Sequence, residues 1–113
     1  MKNPSIQKVT IELEEVLIEA LETKRPVTFF YEGFYRLATP HELGYKDDKL
    51  HCMVWQYGGF SSKGEVNSLN ANWRCMDVSK ITDLKIVDGS WITGGHHKMP
   101  SMCIDYTIMM IDF

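Results

Sequence analysis

Three cations stand where they could hold an anion. Arg36 and Arg74 each lie among apolar neighbours, Tyr35-Arg36-Leu37 and Trp73-Arg74-Cys75. On strands that alternation puts each guanidinium on the less apolar side of the pleat, where its planar fork matches a phosphate or a carboxylate. Lys80 falls in a turn and adds a point charge. The competing reading is that these are ordinary solvated or ion-paired arginines, and both readings stay open at this level. Tyr31, Trp55, Tyr57 and Trp73 could stack unpaired bases beside the cations, although aromatic residues in a small β domain are more often core, the expectation for Trp73. His51 shares a strand face with Lys49, Met53, Trp55 and Tyr57 and could donate a hydrogen bond to an anion, or be structural. The expected ligand-binding set is therefore Tyr31, Arg36, His51, Arg74 and Lys80.

Other chemistry finds less support. His96-His97 offers two imidazoles, but adjacent residues rarely point at one ion, and no Cys, Asp or Glu stands at ligand spacing, so no metal is expected. His51-Cys52 is not a nucleophile and base, because consecutive strand residues face opposite sides. Gly58 to Gly64 lacks the order of a phosphate loop, and no nucleophile elbow, zinc-protease helix or dinucleotide fingerprint occurs. No catalytic residue and no cofactor is expected. Cys52, Cys75 and Cys103 are odd in number, widely spaced and set among apolar residues, which predicts buried reduced thiols rather than a disulfide framework.

The elements that must position these residues follow from periodicity. Apolar residues at Ile6, Val9, Leu13, Val16, Leu17, Ala20 and Leu21 recur at three- and four-residue spacing, predicting a helix over 5–23 that is stopped by Pro26. From Pro26 the period becomes two. Strands are expected at Val27 to Tyr31, at Phe34 to Ala38 (ended by Thr39-Pro40), at Lys49 to Tyr57, at Ala71 to Val78 and at Asp83 to Val87, with a loop from Gly58 to Asn70. One helix followed by five strands, with no second helical pattern among them, excludes a crossover-built parallel sheet. The fold class is α+β, mostly β: a helix packed on a small antiparallel barrel over 26–88, with an apolar extension over 90–113. In that extension Ile108 to Ile111 reads as a strand buried on both faces. The 113 residues are expected to form one domain.

With 44% hydrophobic and 24% charged residues, neither disorder nor a membrane span is indicated. A net charge of -3 speaks against binding a long stretch of duplex. No signal-peptide pattern follows Lys2, so a cytoplasmic location is expected.

The order of elements, and several residues at their joints, resembles the WYL domain family from about Leu17 to Asp88. Ile18-Glu19-Ala20 matches the helix end, and Val27-Thr28-Phe29-Phe30-Tyr31 matches the strand that ends in tyrosine. Arg36, Pro40 and Leu43-Gly44-Tyr45 follow in order. Arg74-Cys75-Met76-Asp77-Val78-Ser79-Lys80-Ile81 corresponds to the family's basic segment, with Arg74 and Lys80 on two of its basic positions. The chain departs from the pattern at Leu50-His51-Cys52, which replaces the naming tripeptide, at Met76 in place of an aromatic, and at Asp77 in place of an arginine. The resemblance implies an Sm-like or SH3-like barrel that senses a nucleotide, a single-stranded nucleic acid or another small anion through a basic pocket. Family members usually carry a helix-turn-helix domain ahead of the barrel. Here about two dozen residues precede it, too few for that domain, so direct operator binding is not implied and a separate output protein is a candidate partner. The alternative is a protein interaction or assembly module that uses the barrel edge and the apolar tail, and a homodimer is expected.

Overall fold

The computed structural model describes residues 4–112; the side chains of 4–10 and of His97 lie outside the description, and with them the expected helix positions Ile6 and Val9 and the tail residue Phe113. Helix α1 spans Pro4–Thr23. Its buried face carries Leu17, Ala20 and Leu21, and burying each leucine stabilises the fold by roughly 1.5–3 kcal/mol. That anchoring matters, because Glu12, Glu15, Glu19 and Glu22 repeat at three- and four-residue steps on the exposed side and repel one another. Lys24 ends the helix in a left-handed conformation (φ 51°), with its N–H donating to Leu21 O and that of Arg25 to Ala20 O.

Seven strands follow, all paired antiparallel: β1 Val27–Tyr31, β2 Phe34–Lys46, β3 Lys49–Ser61, β4 Gly64–Glu65, β5 Asn72–Asp77, β6 Ile81–Ile86 and β7 Tyr106–Met110. The spine runs β4-β3-β2-β1-β6, with β5 added to β3 and β7 to β2. The sheet curls into a half-barrel, and a 3-10 turn, Val78–Lys80, carries the chain from β5 to β6. The expected α+β class holds. The core lies between the concave face and α1, built on Val27, Phe29, Leu43, Cys52, Val54 and Met76. Leu84 and Ile86, expected inside, are partly buried against it.

Three expectations need correction. Thr39-Pro40 does not end a strand: β2 is thirteen residues long and continues to Lys46, and Pro40 falls where β2 changes partners from β1 to β7 and where its register against β3 shifts, between Pro40 and Glu42. A missing donor is tolerated at such a bulge. Likewise β3 continues past Tyr57 through Gly58-Gly59 to Ser61 and turns into β4, so the expected loop is largely hairpin. The tail strand is not buried on both faces. It is an edge strand on β2, with Tyr106, Ile108 and Met110 exposed, while Ile111 reaches the core.

The convex face carries a second, smaller core. Met53 and Trp73 pack there with Cys103 from the tail, flanked by Trp55, Met99 and Ile104. The arm after β6 crosses this face and fits closely: a Cβ on Gly94 would lie 2.3 Å from the Trp55 ring, and one on Gly44 would lie 2.1 Å from Tyr106 O. The thiols are also corrected. Cys52 is buried and free, but Cys75 and Cys103 form a disulfide, because the curl brings β5 and the arm together across 28 residues of sequence. Among the described residues no helix is long and apolar enough to cross a membrane.

Candidate functional site

The curl turns part of the concave face into a polar mouth. Arg36 is paired with Phe29 on one side and Gly59 on the other, and it points to the same face as Ala38. Arg74 lies opposite Val54 and shares its face with Met76, whose side chain is in the core. Both guanidiniums therefore stand on the core side of the sheet, not on the outer side that alternation alone suggested, at the end where the core gives out. Tyr31, Glu32, Arg36, Ser61, Ser62, Arg74, Cys75 and Met76 line a cleft of about 220 Å³.

Arg36 is the buried member, at 5% exposure. Its Nη1 donates to Gln56 Oε1 and its Nη2 to the carbonyl of Tyr31, each at 3.2 Å. The guanidinium sits 5.2 Å from the Tyr31 ring centre and 5.8 Å from that of Phe34. Gln56 is wholly buried, and its Nε2 donates to Gly58 O (3.1 Å) and Phe60 O (3.0 Å), so one amide holds both Arg36 and the β3 bulge. Gly59 makes the approach feasible. Its φ is +79°, and a Cβ there would lie 2.2 Å from Tyr35 O and 2.8 Å from Arg36 Cα.

The two arginines carry donor capacity that the protein leaves unused. The Nε atoms of Arg36 and Arg74 are buried and have no hydrogen-bond partner among the described residues, an arrangement that costs about 1–3 kcal/mol per group. Burial, and then the Arg74 charge, hold the Arg36 guanidinium below its usual value, with Glu32 and Tyr31 pulling it back up. Among the described residues neither arginine forms an ion pair with a carboxylate. Two like charges meeting at a half-enclosed cleft would be relieved by an anion.

Of the five residues expected from sequence, Tyr31, Arg36 and Arg74 meet at this cleft, while His51 and Lys80 do not line it. They flank Asp77. Burial raises the Asp77 carboxyl, but hydrogen bonds from the Ser79 hydroxyl and N–H, with the charges of His51 and Lys80, outweigh it and leave the group below its usual range. The Asp77 N–H in turn donates to Tyr31 Oη at 3.2 Å, joining this cluster to the cleft wall. His51 Nδ1 is 3.0 Å from Lys49 O, so that nitrogen carries the proton. The aromatic residues proposed as stacking surfaces are largely covered: Tyr31 and Trp73 are buried, and Gly94 seats against Trp55. Exposed rings stand instead at Phe30, Tyr35 and Phe60, with the first two in contact at 5.4 Å. Sequence reasoning missed Gln56, Ser61 and Ser62. The Gly58-Gly59 pair beside a strand glutamine was the available sign of a bulge.

Comparison with known proteins found no matching family model, no similar curated protein and no similar solved structure.

Proposed function

We propose that this chain is a non-enzymatic ligand-sensing module that binds a phosphate- or carboxylate-bearing small molecule, such as a nucleotide or the end of a single-stranded nucleic acid, in the cleft between Arg36 and Arg74. The supporting observation is the pairing of two guanidiniums, each with a buried unpartnered Nε, at one cleft also walled by Tyr31. This suits a WYL-like regulatory module acting with a separate output protein. At about 220 Å³ the cleft is smaller than the ~300–1,000 Å³ usual for whole small-molecule sites. It takes the anionic group and leaves the rest of the ligand at the surface.

Titration with inorganic phosphate, AMP, adenosine and hexathymidylate at two salt concentrations tests this. AMP and the oligonucleotide are expected to bind, adenosine is not, and the salt dependence is expected to be shallow, on the order of two to three released counterions. Equal binding of AMP and adenosine, or no binding of any anion at low salt, rejects the reading.

A second reading rests on β7. Its exposed Tyr106, Ile108 and Met110, with Met102 nearby in the chain, leave an apolar edge that could serve a partner chain, in the simplest case a second copy. Light scattering is then expected to show a homodimer that Ile108→Lys dissociates. A 13.1 kDa monomer for both proteins removes that reading.

A further inference from the structure

The Cys75–Cys103 disulfide joins the strand that carries Arg74 to the arm that ends in β7. On β5, Arg74 and Met76 face the concave side, so the Cys75 sulfur faces the convex side, as Trp73 does. Cys103 is buried there against Met53 and Trp73, whereas Cys75 is exposed. Beyond Cys103 the arm is held by Asp105 N–H to Tyr45 O, by the short ladder of β7 on β2, and by Ile111 N–H to His41 O. Most β7 side chains face solvent, and the apolar anchors of this part of the chain are Ile104, Met109 and Ile111. β5 pairs with β3 along one edge, and the disulfide is the covalent tie across its outer face.

We propose that Cys75–Cys103 is an exchangeable disulfide, a thiol-modification site through which a low-molecular-weight thiol–disulfide couple releases the C-terminal arm and loosens the strand carrying Arg74. Its effect on the cleft rests on the anion-binding reading above; the release of the arm does not. Cys75 is the exposed residue of the pair and Cys103 the buried one, so Cys75 Sγ is the point of attack for a thiolate. An incoming thiolate bonds to Cys75 Sγ, the S–S bond breaks, and its electron pair leaves on Cys103 Sγ, which takes a proton from solvent. A second thiolate then attacks the incoming sulfur of the mixed disulfide and releases Cys75 as a thiolate, which is protonated from solvent. The protein disulfide gains two electrons, and two thiols become one disulfide. Cys52 takes no part: it is fully buried, and its thiol is pushed up by burial and by the Glu42 charge.

Hydrogen exchange on the full chain, oxidised and after dithiothreitol, tests the proposal. The expected result is reduction under native conditions with two newly titratable thiols and exchange about tenfold faster over 104–112. A smaller acceleration is expected over 72–77, with none over 27–31. The double variant Cys75→Ser/Cys103→Ser is expected to show the same pattern without reagent. A bond that dithiothreitol leaves intact, exchange that accelerates equally in all three segments, or exchange that changes in none overturns the proposal. AMP affinity is expected to fall on reduction, and unchanged affinity overturns the coupling to the cleft. If the oxidised protein binds no AMP, the anion reading fails by itself, and exchange over 72–77 and 104–112 still decides whether the disulfide is a latch.

Discussion

Arg36→Ala is expected to abolish AMP binding and also to lower the unfolding free energy by about 2–4 kcal/mol, whereas Arg74→Ala is expected to weaken AMP binding by about 1–3 kcal/mol with stability nearly unchanged. The difference comes from what each guanidinium does for the fold. Arg36 is buried and satisfies Gln56 Oε1 and Tyr31 O. Its removal takes the donor from two acceptors at the buried end of the cleft, and it loosens the amide that holds the β3 bulge. Arg74 is half-buried, and no bond from it to a protein acceptor is seen among the described residues. Removing it relieves repulsion on Arg36, which offsets the packing lost. Paired urea denaturation and AMP titration of the two variants check this. Equal stability losses with unaltered affinity would show that both arginines are purely structural.

Stability is expected to fall by roughly 3 kcal/mol as pH drops from about 7.5 to 4, beyond the general acid sensitivity of the carboxylates, because of His41. This ring is fully buried between Trp73, at 4.7 Å edge-on, and Trp91, at 5.2 Å. Its Nδ1 is 2.8 Å from Thr39 O, which can only accept, so Nδ1 carries the proton and Nε2 accepts from Thr93 Oγ1 at 2.8 Å. Thr93 Oγ1 in turn accepts from Gly95 N–H, and Thr39 Oγ1 donates to Ile92 O. The neutral ring thus pins the arm to β2. Burial depresses the imidazole to about 4 from the usual 6.5, against a smaller opposing effect of the bond to Thr39. The unfolded chain takes up this proton near pH 6.5 and the folded chain only near 4. The contribution is therefore fully present above 6.5, fades as pH falls between the two values, and is lost below the lower one. Denaturation of wild type and His41→Gln across this range checks it. The wild type is expected to lose its advantage over the variant as pH falls, and a constant difference from pH 7.5 to 4 would remove His41 as the cause.

These two sites stand on opposite faces of one sheet. The concave mouth holds the arginines, and the convex face holds the arm through His41, Trp55 and the disulfide. A strand has two faces, and β5 presents Arg74 on one and Cys75 on the other. A change in how the arm is held therefore reaches the cleft through a single strand.

Local pattern by itself determined the helix over nearly its full length, the hairpin of β1 and β2 through Glu32-Gly33, and the antiparallel α+β class. Each rests on signals of a few residues: a 3.6-residue apolar stripe, an alternation, two turn residues with positive φ. The types and rough neighbourhood of Tyr31, Arg36 and Arg74 were legible for the same reason. Tertiary structure alone decided which face they take. The curl places the polar mouth on the concave side, so arginines that alternation assigns to the outside stand inside, next to a glutamine whose role depends on the β3 bulge. It also decided that Pro40 lies within a strand, because β2 changes partners there, and that Cys75 meets Cys103. Contacts between residues far apart in sequence are set by how a sheet bends and what packs on each face, and the spacing of residue types along the chain carries no record of that bend.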